Sequence, residues 1–438
     1  MRLCHELVQR VYLSLLKARA SGRFERLVAA CYIRPAMNTQ PTDRLNGFIE
    51  RVRKFRVEHL DLLEPELLRH DVDSILPKLM DLRALARELG LWGPQLPREL
   101  GGQGFSLYET QPISEELGRS PLGHFVCNMN APDVSNMDLL IANATPQQKE
   151  KFLLPVARGE LRSCFAMTEP DTPGSNPTMQ STTARREGDE YVINGRKWFI
   201  TGADGASFAI VLATTDANAE KPHRRSSLFL VPFGTPGFRQ VRRIKMMGEE
   251  GGNWLAHSEL ELSEVRVPAE NLIGEEGRGF ALAQARLGPA RLHHCMRWLG
   301  NMQRALDLTC QRAATREIAP GVVLAHKQAV QHMIADSRID IECARHLIQQ
   351  TCQAVEAKGY KEARVEMSVM KAFVPQALGR VLDRAIQVHG AMGVSDLTPL
   401  AFWLRHERCS RLYDGPDEVH KSLVAREMLK GYGVEVSI

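Results

Sequence analysis

The sequence predicts an α+β protein of three consecutive parts: a helical domain, a small antiparallel β-domain and a helical bundle. Three observations carry this. Apolar residues recur at helical spacing from about residue 43 to 160. The period falls to two from about 161 to 273, and long helical stripes return from about 277 to 432. The chain divides on this reading into 1–42, 43–160, 161–273 and 274–438.

Residues 1–42 read as a basic leader or a mis-assigned upstream extension. The first 36 carry seven Lys/Arg against two Glu, the acid-poor character of a transit peptide, whereas Met37 opens a polar lead into an ordinary first helix. In the first helical part, Leu62, Leu63, Leu67, Leu68, Ile75 and Leu76 keep helix-compatible steps, followed by Leu82, Leu85 and Leu89. Trp92-Gly93-Pro94 and Leu100-Gly101-Gly102-Gln103-Gly104 punctuate it as loops.

The β-part opens its alternation around Asn194-Gly195, which lies between Tyr191-Val192-Ile193 and Trp198-Phe199-Ile200. Asn-Gly between apolar runs is a strong hairpin signal, so a turn is expected there. Phe208–Leu212, Leu228–Val231 and the alternation through Leu260, Leu262, Val265 and Val267 add further strands. In the last part, Val330, Met333, Ile334, Ser337, Ile341, Ala344, Ile348, Thr351 and Val355 form one stripe of three- and four-residue steps. That pattern suits a long bundle helix packed along one side.

Composition excludes several function classes. A formal charge of +4, from 56 basic and 52 acidic residues, is too slight for a nucleic-acid or anionic-membrane surface. No stretch reaches the roughly 18 uninterrupted apolar residues that a membrane-spanning helix needs. The nine cysteines form no C-x-x-C pair and no cluster with histidines, so no metal site is expected and the thiols read as reduced.

Single motifs are weak. Gly274-Glu275-Glu276-Gly277-Arg278-Gly279 lacks a preceding strand and reads as a turn into the next helix. His293 and His294 are adjacent on a helix, so they point in different directions and read as hydrogen-bonded or solvated rather than metal-binding. Asp414, ahead of Pro416, reads locally as a helix cap, and Arg316 as a solvated helix-end arginine.

The order of the motifs is more specific. From about residue 45 to its end the chain resembles the acyl-CoA dehydrogenases. Cys164-Phe165-Ala166-Met167-Thr168-Glu169-Pro170 is similar to the family's flavin-contacting strand, with its following serine at Ser175 after one inserted residue. Asn194–Thr201 resembles the second flavin segment, in which Phe199 and Thr201 approach the isoalloxazine. Arg316 matches the arginine on the FAD pyrophosphate and Gln328 a cofactor-side glutamine further along, and Gln387–Gly393, with Gly390 and Ala391, matches the run that receives FAD from a neighbouring subunit. Tyr413-Asp414-Gly415 takes the place of the catalytic Tyr-Glu-Gly. The aspartate within Asp414–His420 and the helix from Gly288 to Arg297 resemble the branch of members ten and eleven and their bacterial relatives.

The resemblance implies an N-terminal all-α domain, a central antiparallel β-barrel and a C-terminal four-helix bundle. It also implies an FAD-dependent oxidoreductase of lipid metabolism that converts an acyl-CoA to its trans-2-enoyl-CoA. Asp414 would abstract the α-proton, since the family's other location for the base is here Ala290. Pro416 and Glu418 would belong to the cofactor site, and Ser175, Arg291 and Gly415 to the substrate site. Three departures stand out: Phe199 replaces tryptophan, Arg316–Gly321 carries a proline and an extra residue, and Ala391 replaces glycine. The expected partners are an electron-transferring flavoprotein and further copies of the chain, as homodimer or homotetramer. The alternatives are a flavin oxidase of the same fold, acting on acyl-CoA or nitroalkanes, and a non-catalytic helical binding protein. The expected location is cytoplasmic in a bacterium, or the mitochondrial or peroxisomal matrix in a eukaryote.

Overall fold

A computed structural model describes residues 42–70 and 72–436. The leader reading therefore lies, apart from Thr42, outside the described residues. Helix α1 (Asp43–Phe55) runs through a π-helical turn (Arg56–Leu60) into α2 (Asp61–Arg69), and α3 (Val72–Glu88) follows. Of the leucines and isoleucines picked out by spacing, Leu63, Leu67 and Ile75 are buried, while Leu62 and Leu89 are exposed. Helix α4 (Leu107–Gly118) starts at a capping box: Ser106 Oγ accepts from the Glu109 N–H, and the Glu109 carboxylate accepts from the Ser106 N–H. After α5 (Asp133–Asn143) an irregular helical run through residue 157 leads into the sheet.

The sheet strands are β1 (Ser163–Ala166), β2 (Thr183–Glu187), β3 (Glu190–Thr201) and β4 (Phe208–Thr214). β5 (Ser226–Pro232), β6 (Phe238–Arg243), β7 (His257–Pro268) and β8 (Leu272–Ile273) complete it. Their order is β6-β7-β3-β2-β4-β5-β8, with β1 beside β4. This corrects the expected closed barrel: the order ends at β6 and β8, so the sheet is open. It is also mixed, since β1 runs parallel to β4, and β2 meets β4 only through the parallel pair Thr183–Thr214. Between the two antiparallel wings the ladder is reduced to that one pair.

β4 shows why Phe208–Ala213 is apolar without alternation. Ala209, Val211 and Ala213 pack among sheet residues, while Phe208, Ile210 and Leu212 pack against Leu139, Leu140 and Phe152 from the helical side. A strand buried on both faces has no polar side.

The expected turn at Asn194-Gly195 is absent. Both residues lie inside β3, and the hairpin turns at Gly188-Asp189 instead. Asn194 spends its amide across the sheet: Nδ2 donates to Glu264 Oε1 at 2.7 Å and Oδ1 accepts from the Glu264 N–H at 2.8 Å. Gly195 is needed for a close approach, since a Cβ there would strike Thr182. Further along, Lys197 pairs with Leu260 but Ile200 pairs with Ser258, so β3 carries one extra residue at a bulge.

The last part is a bundle of α6 (Gly279–Thr315), α7 (Gln328–Glu362), α8 (Arg364–His389) and α10 (Asp417–Lys430), with α9 (Pro399–Glu407) between the last two. The turn read at Gly274–Gly279 does lead into α6, and α7 is broken at Gly359, where φ is 81°. Its buried face follows the predicted stripe from Val330 to Val355, joined by Asp340 and Cys352, while Met333 and Ile334 of the stripe are only half-buried. Trp298, Trp403, Leu299, Ile341 and Met370 fill the bundle core. Each such side chain contributes roughly 2 kcal/mol through burial. The first domain is pinned to α6 by two glycines: a Cβ at Gly300 would meet the Glu115 carbonyl, and one at Gly118 the Arg297 carbonyl.

Candidate active site

A cavity of about 590 Å³ opens among β1, β3, α6 and the segment before α10. It gathers sequence-predicted residues from four regions. Phe165, Met167, Thr168 and Ser175 come from β1 and the loop after it. The bulged strand β3 contributes Phe199 and Thr201. Arg291 comes from α6, and Asp414, Gly415 and Pro416 from the turn ahead of α10.

The β3 bulge builds one wall. Phe199 sits at φ 51° with 44% of its surface exposed, an unusual state for a large aromatic in a strand. Its neighbour Trp198 packs edge-on at 4.9 Å and does not line the cavity. The loop carrying Thr168 is tied to this bulge, because Trp198 N donates to Thr168 O at 3.0 Å and Thr168 Oγ1 donates back to Trp198 O at 2.6 Å. Beneath it, the fully buried Lys197 Nζ donates to Glu169 Oε1 and Gln180 Oε1, each at 2.7 Å. Burial draws the Lys197 ammonium down to about 8, and Glu169 opposes the shift. Glu169 is thereby committed to Lys197 and to the backbone of Ser181 and Thr182.

Asp414 is not a helix cap. Pro416 holds the N-cap position of α10, which receives no side-chain capping bond. Asp414 instead sits at φ 55°, 10% of its side chain exposed, and its buried Oδ2 has no hydrogen-bond partner among the described residues. Left-handed backbone at a non-glycine persists only where neighbours hold it. Here they do. The Asp414 carbonyl accepts from Arg291 Nε at 2.8 Å and His420 Nε2 at 3.2 Å. Buried Lys371 Nζ donates to the carbonyls of Ser410 at 2.7 Å, Tyr413 at 3.0 Å and Gly415 at 3.4 Å.

His294 Nε2 lies 3.5 Å from Asp414 Oδ2, while His293 Nε2 faces Asp138 Oδ2 at 3.6 Å on the other side. The two adjacent histidines do diverge, as helical geometry requires. Trp298 stacks on the His294 ring at 5.5 Å and Tyr413 leans on it at 4.9 Å. Burial, reinforced by the Arg297 guanidinium, holds His294 well below its ordinary pKa, so the ring is neutral. Among the described residues no group of three or more His, Cys, Asp or Glu side chains is placed to hold a metal, and no helix is long and apolar enough to cross a membrane.

The other predicted residues are not at the cavity. Arg316, Gln328, Gln387, Gly390 and Ala391 are all exposed. They fall at the ends of α6 and α8 and the start of α7, which meet around Ala313, Val330 and Val388. Glu418 is exposed in the first turn of α10.

Three family profiles match in the order of the three parts. They are the acyl-CoA dehydrogenase N-terminal domain over residues 42–160, the middle domain over 164–265 and the C-terminal domain over 277–429. The chain belongs to the acyl-CoA dehydrogenase family. It is 43% identical over 356 residues to the probable acyl-CoA dehydrogenase FadE2 of Mycobacterium tuberculosis, covering 81% of this chain and 86% of that one. It is 41% identical over 352 residues to acyl-CoA dehydrogenase family member 11 of Gallus gallus, covering 80% of this chain but only 45% of the relative. It thus spans about half the length of that relative. A candidate acyl-CoA dehydrogenase from Mycobacterium abscessus superposes with a TM-score of 0.85 at 38% identity, over 90% of this chain and 100% of that one.

Three residues at or behind the cavity escaped the sequence reading. His294 was set aside with its neighbour, although it stands three residues after Arg291 and so on the same helix face. Lys371 gave no signal, because its partners lie about 40 residues away. Arg286, 6% exposed, lines the cavity with its guanidinium 4.7 Å over the Phe165 ring, and its Nε donates to Asn136 at 3.1 Å. A lone helical arginine carries no local mark of that.

Proposed function

We propose that this chain removes the α-proton and the β-hydride of an acyl-CoA thioester, with Asp414 as base and FAD as cofactor, giving the trans-2-enoyl-CoA. The observation that carries this is the state of Asp414: a buried carboxylate oxygen with no partner, on a backbone held from three sides, facing a large cavity. Such a carboxylate serves no structural bond and is left free to take a proton.

The cavity wall fits a flat cofactor. The Phe199 ring stands exposed between the hydroxyl-bearing Thr168 and Thr201, offering a stacking face with hydrogen-bonding groups on either side. FAD bound there supplies the hydride acceptor that no side chain can provide. The chain's own contribution is placement and proton handling. Neutral His294 stands 3.5 Å from Asp414 Oδ2, short of a hydrogen bond, and would steady that oxygen once substrate closes the contact, leaving Oδ1 to meet Cα–H. Arg291, His420 and Lys371 turn the carbonyls of the segment inward. The Asp414 N–H, which bonds to no described residue, then faces the thioester oxygen, where negative charge develops.

In the proposed assembly, Arg316, Gln328, Gln387, Gly390 and Ala391 serve a neighbouring subunit's FAD. What supports this is that they are exposed together, away from the cavity of their own chain. A monomer in sedimentation that retains FAD would rule it out. An electron-transferring flavoprotein is the proposed acceptor; rapid reoxidation by air alone would favour an oxidase.

The deciding experiment is anaerobic titration with acyl-CoAs of varied length. Wild-type flavin should bleach, and Asp414→Asn should keep FAD yet fail to bleach. Undiminished bleaching in that variant overturns the assignment.

A further inference from the structure

His257 lines the same cavity as Thr201 and sits directly across from it, since the two are cross-strand partners where β3 meets β7. Their side chains touch: Thr201 Oγ1 and His257 Nδ1 are 3.0 Å apart. The backbone on both sides is fixed, with Gly202 N donating to Ala256 O at 2.9 Å and Ile244 N to His257 O at 2.6 Å. The other ring nitrogen, Nε2, is buried and has no hydrogen-bond partner among the described residues.

We propose that His257 is a positioning residue that fixes the Thr201 hydroxyl as a hydrogen-bond donor into the cavity. The inference rests on the proposed placement of FAD against Thr201, and adds a residue that the reaction scheme does not use.

Two tautomers are possible for a neutral imidazole. With the proton on Nε2, a buried N–H points at no acceptor, and the Thr201 proton is consumed in bonding to Nδ1. With the proton on Nδ1, the ring donates to Thr201 Oγ1, and only a lone pair remains unmatched at Nε2. An orphaned buried N–H is the rarer and costlier state, so the second arrangement wins. Thr201 then has its oxygen engaged and its own proton free for the cavity.

Protonation would spoil this by adding a second buried N–H, and the surroundings resist it. Burial brings the ring down to about 3, His406 pushes the same way and Glu407 opposes. His406 comes from α9, its ring 6.4 Å from that of His257, and is itself packed flat on Phe402 at 5.6 Å. His257 therefore keeps one charge state, and its direction of donation, across the working pH range.

A donor aimed at the hydride-accepting region favours the reduced cofactor, which is richer in electrons. The measurement is the midpoint potential of the bound FAD, by dye-coupled reductive titration of the holoenzyme. Thr201→Val should shift the two-electron equilibrium about tenfold towards oxidised flavin, a drop of ~30 mV. His257→Leu should produce the same drop, and the double variant no further one. His257→Asn, whose amide nitrogen falls near Nδ1, should keep the wild-type potential, whereas His257→Gln, which places it near Nε2, should not. The Asn and Gln pair keeps the test usable if the Leu variant does not fold. A potential unmoved by Thr201→Val overturns the flavin placement together with the inference. A drop with Thr201→Val but none with His257→Leu or His257→Gln overturns the inference alone.

Discussion

His294 Nε2 stands 3.5 Å from the buried Oδ2 of Asp414, on a ring packed against both Trp298 and Tyr413. The imidazole is neutral, so the pair is a donor beside a carboxylate and not an ion pair. The distance is slightly long for a hydrogen bond, as active-site contacts often are before substrate closes on them.

Removing His294 should therefore slow chemistry more than binding. A hydrogen bond to a charged group is worth about 1.5–3 kcal/mol, which corresponds to roughly 10- to 100-fold in rate. His294→Ala should lower the rate of flavin reduction by that factor in single-turnover stopped flow, with substrate affinity changed far less. An unchanged rate with weakened affinity would make His294 a pocket wall and nothing more.

Lys371 should matter for both stability and rate. Its ammonium, fully buried, satisfies three carbonyls of the turn that carries Asp414. Lys371→Met leaves those acceptors unpaired at a cost of roughly 3 kcal/mol, read as a lower melting temperature. Lys371→Arg should not rescue, since a planar fork cannot replace a point donor among three converging carbonyls. Full recovery by arginine would show that charge alone suffices.

Phe199 should govern cofactor retention. Truncation to alanine removes the exposed ring face, and FAD should dissociate about fivefold more readily, since an aromatic contact contributes ~1 kcal/mol beyond its area. Phe199→Trp should hold FAD as well as wild type. Equal retention in the alanine variant would place the flavin elsewhere.

Glu407 sets an acid limit. Burial by itself would raise its pKa, but the Arg297 guanidinium outweighs this, with help from His406 and the Trp298 N–H, and brings it down from 4.5 to about 2. A carboxylate depressed on folding gives stability that is complete above its unfolded value and is lost as pH falls from about 4.5 towards 2. The shift is of order 3 kcal/mol. Glu407→Gln should melt below wild type at neutral pH, and the gap should close as the pH approaches 2. A gap independent of pH would show that packing, not charge, is lost.

The fold was legible where its cause is local. The α7 stripe from Val330 to Val355 is a property of one helix, and spacing alone revealed it. Asn194-Gly195 misled because its usual meaning assumes that the amide serves its own turn, whereas here it bonds to Glu264, seventy residues on. Closure of the sheet was misjudged for a similar reason, because whether β6 and β8 pair depends on two edges that neither segment describes. At the cavity, Asp414, Phe199 and Thr201 were singled out by ordered motifs, and the fold brings them together. His294 could have been found, by counting one helical turn from Arg291. Lys371 and His257 could not, since each acts through a partner supplied by a distant segment.

The bulge in β3 carries a last implication. Phe199 and Thr201, two apart on the strand, share a wall, and one surplus residue between Lys197 and Ile200 sets how Lys197 and the residues before it face relative to that wall. Deleting either bulged position would restore an unbroken ladder and rotate the residues before it to the opposite face. The wall is thus encoded in the number of residues as much as in their identity. A chain could keep Phe199 and Thr201 and still lose the wall through the one missing codon of Trp198.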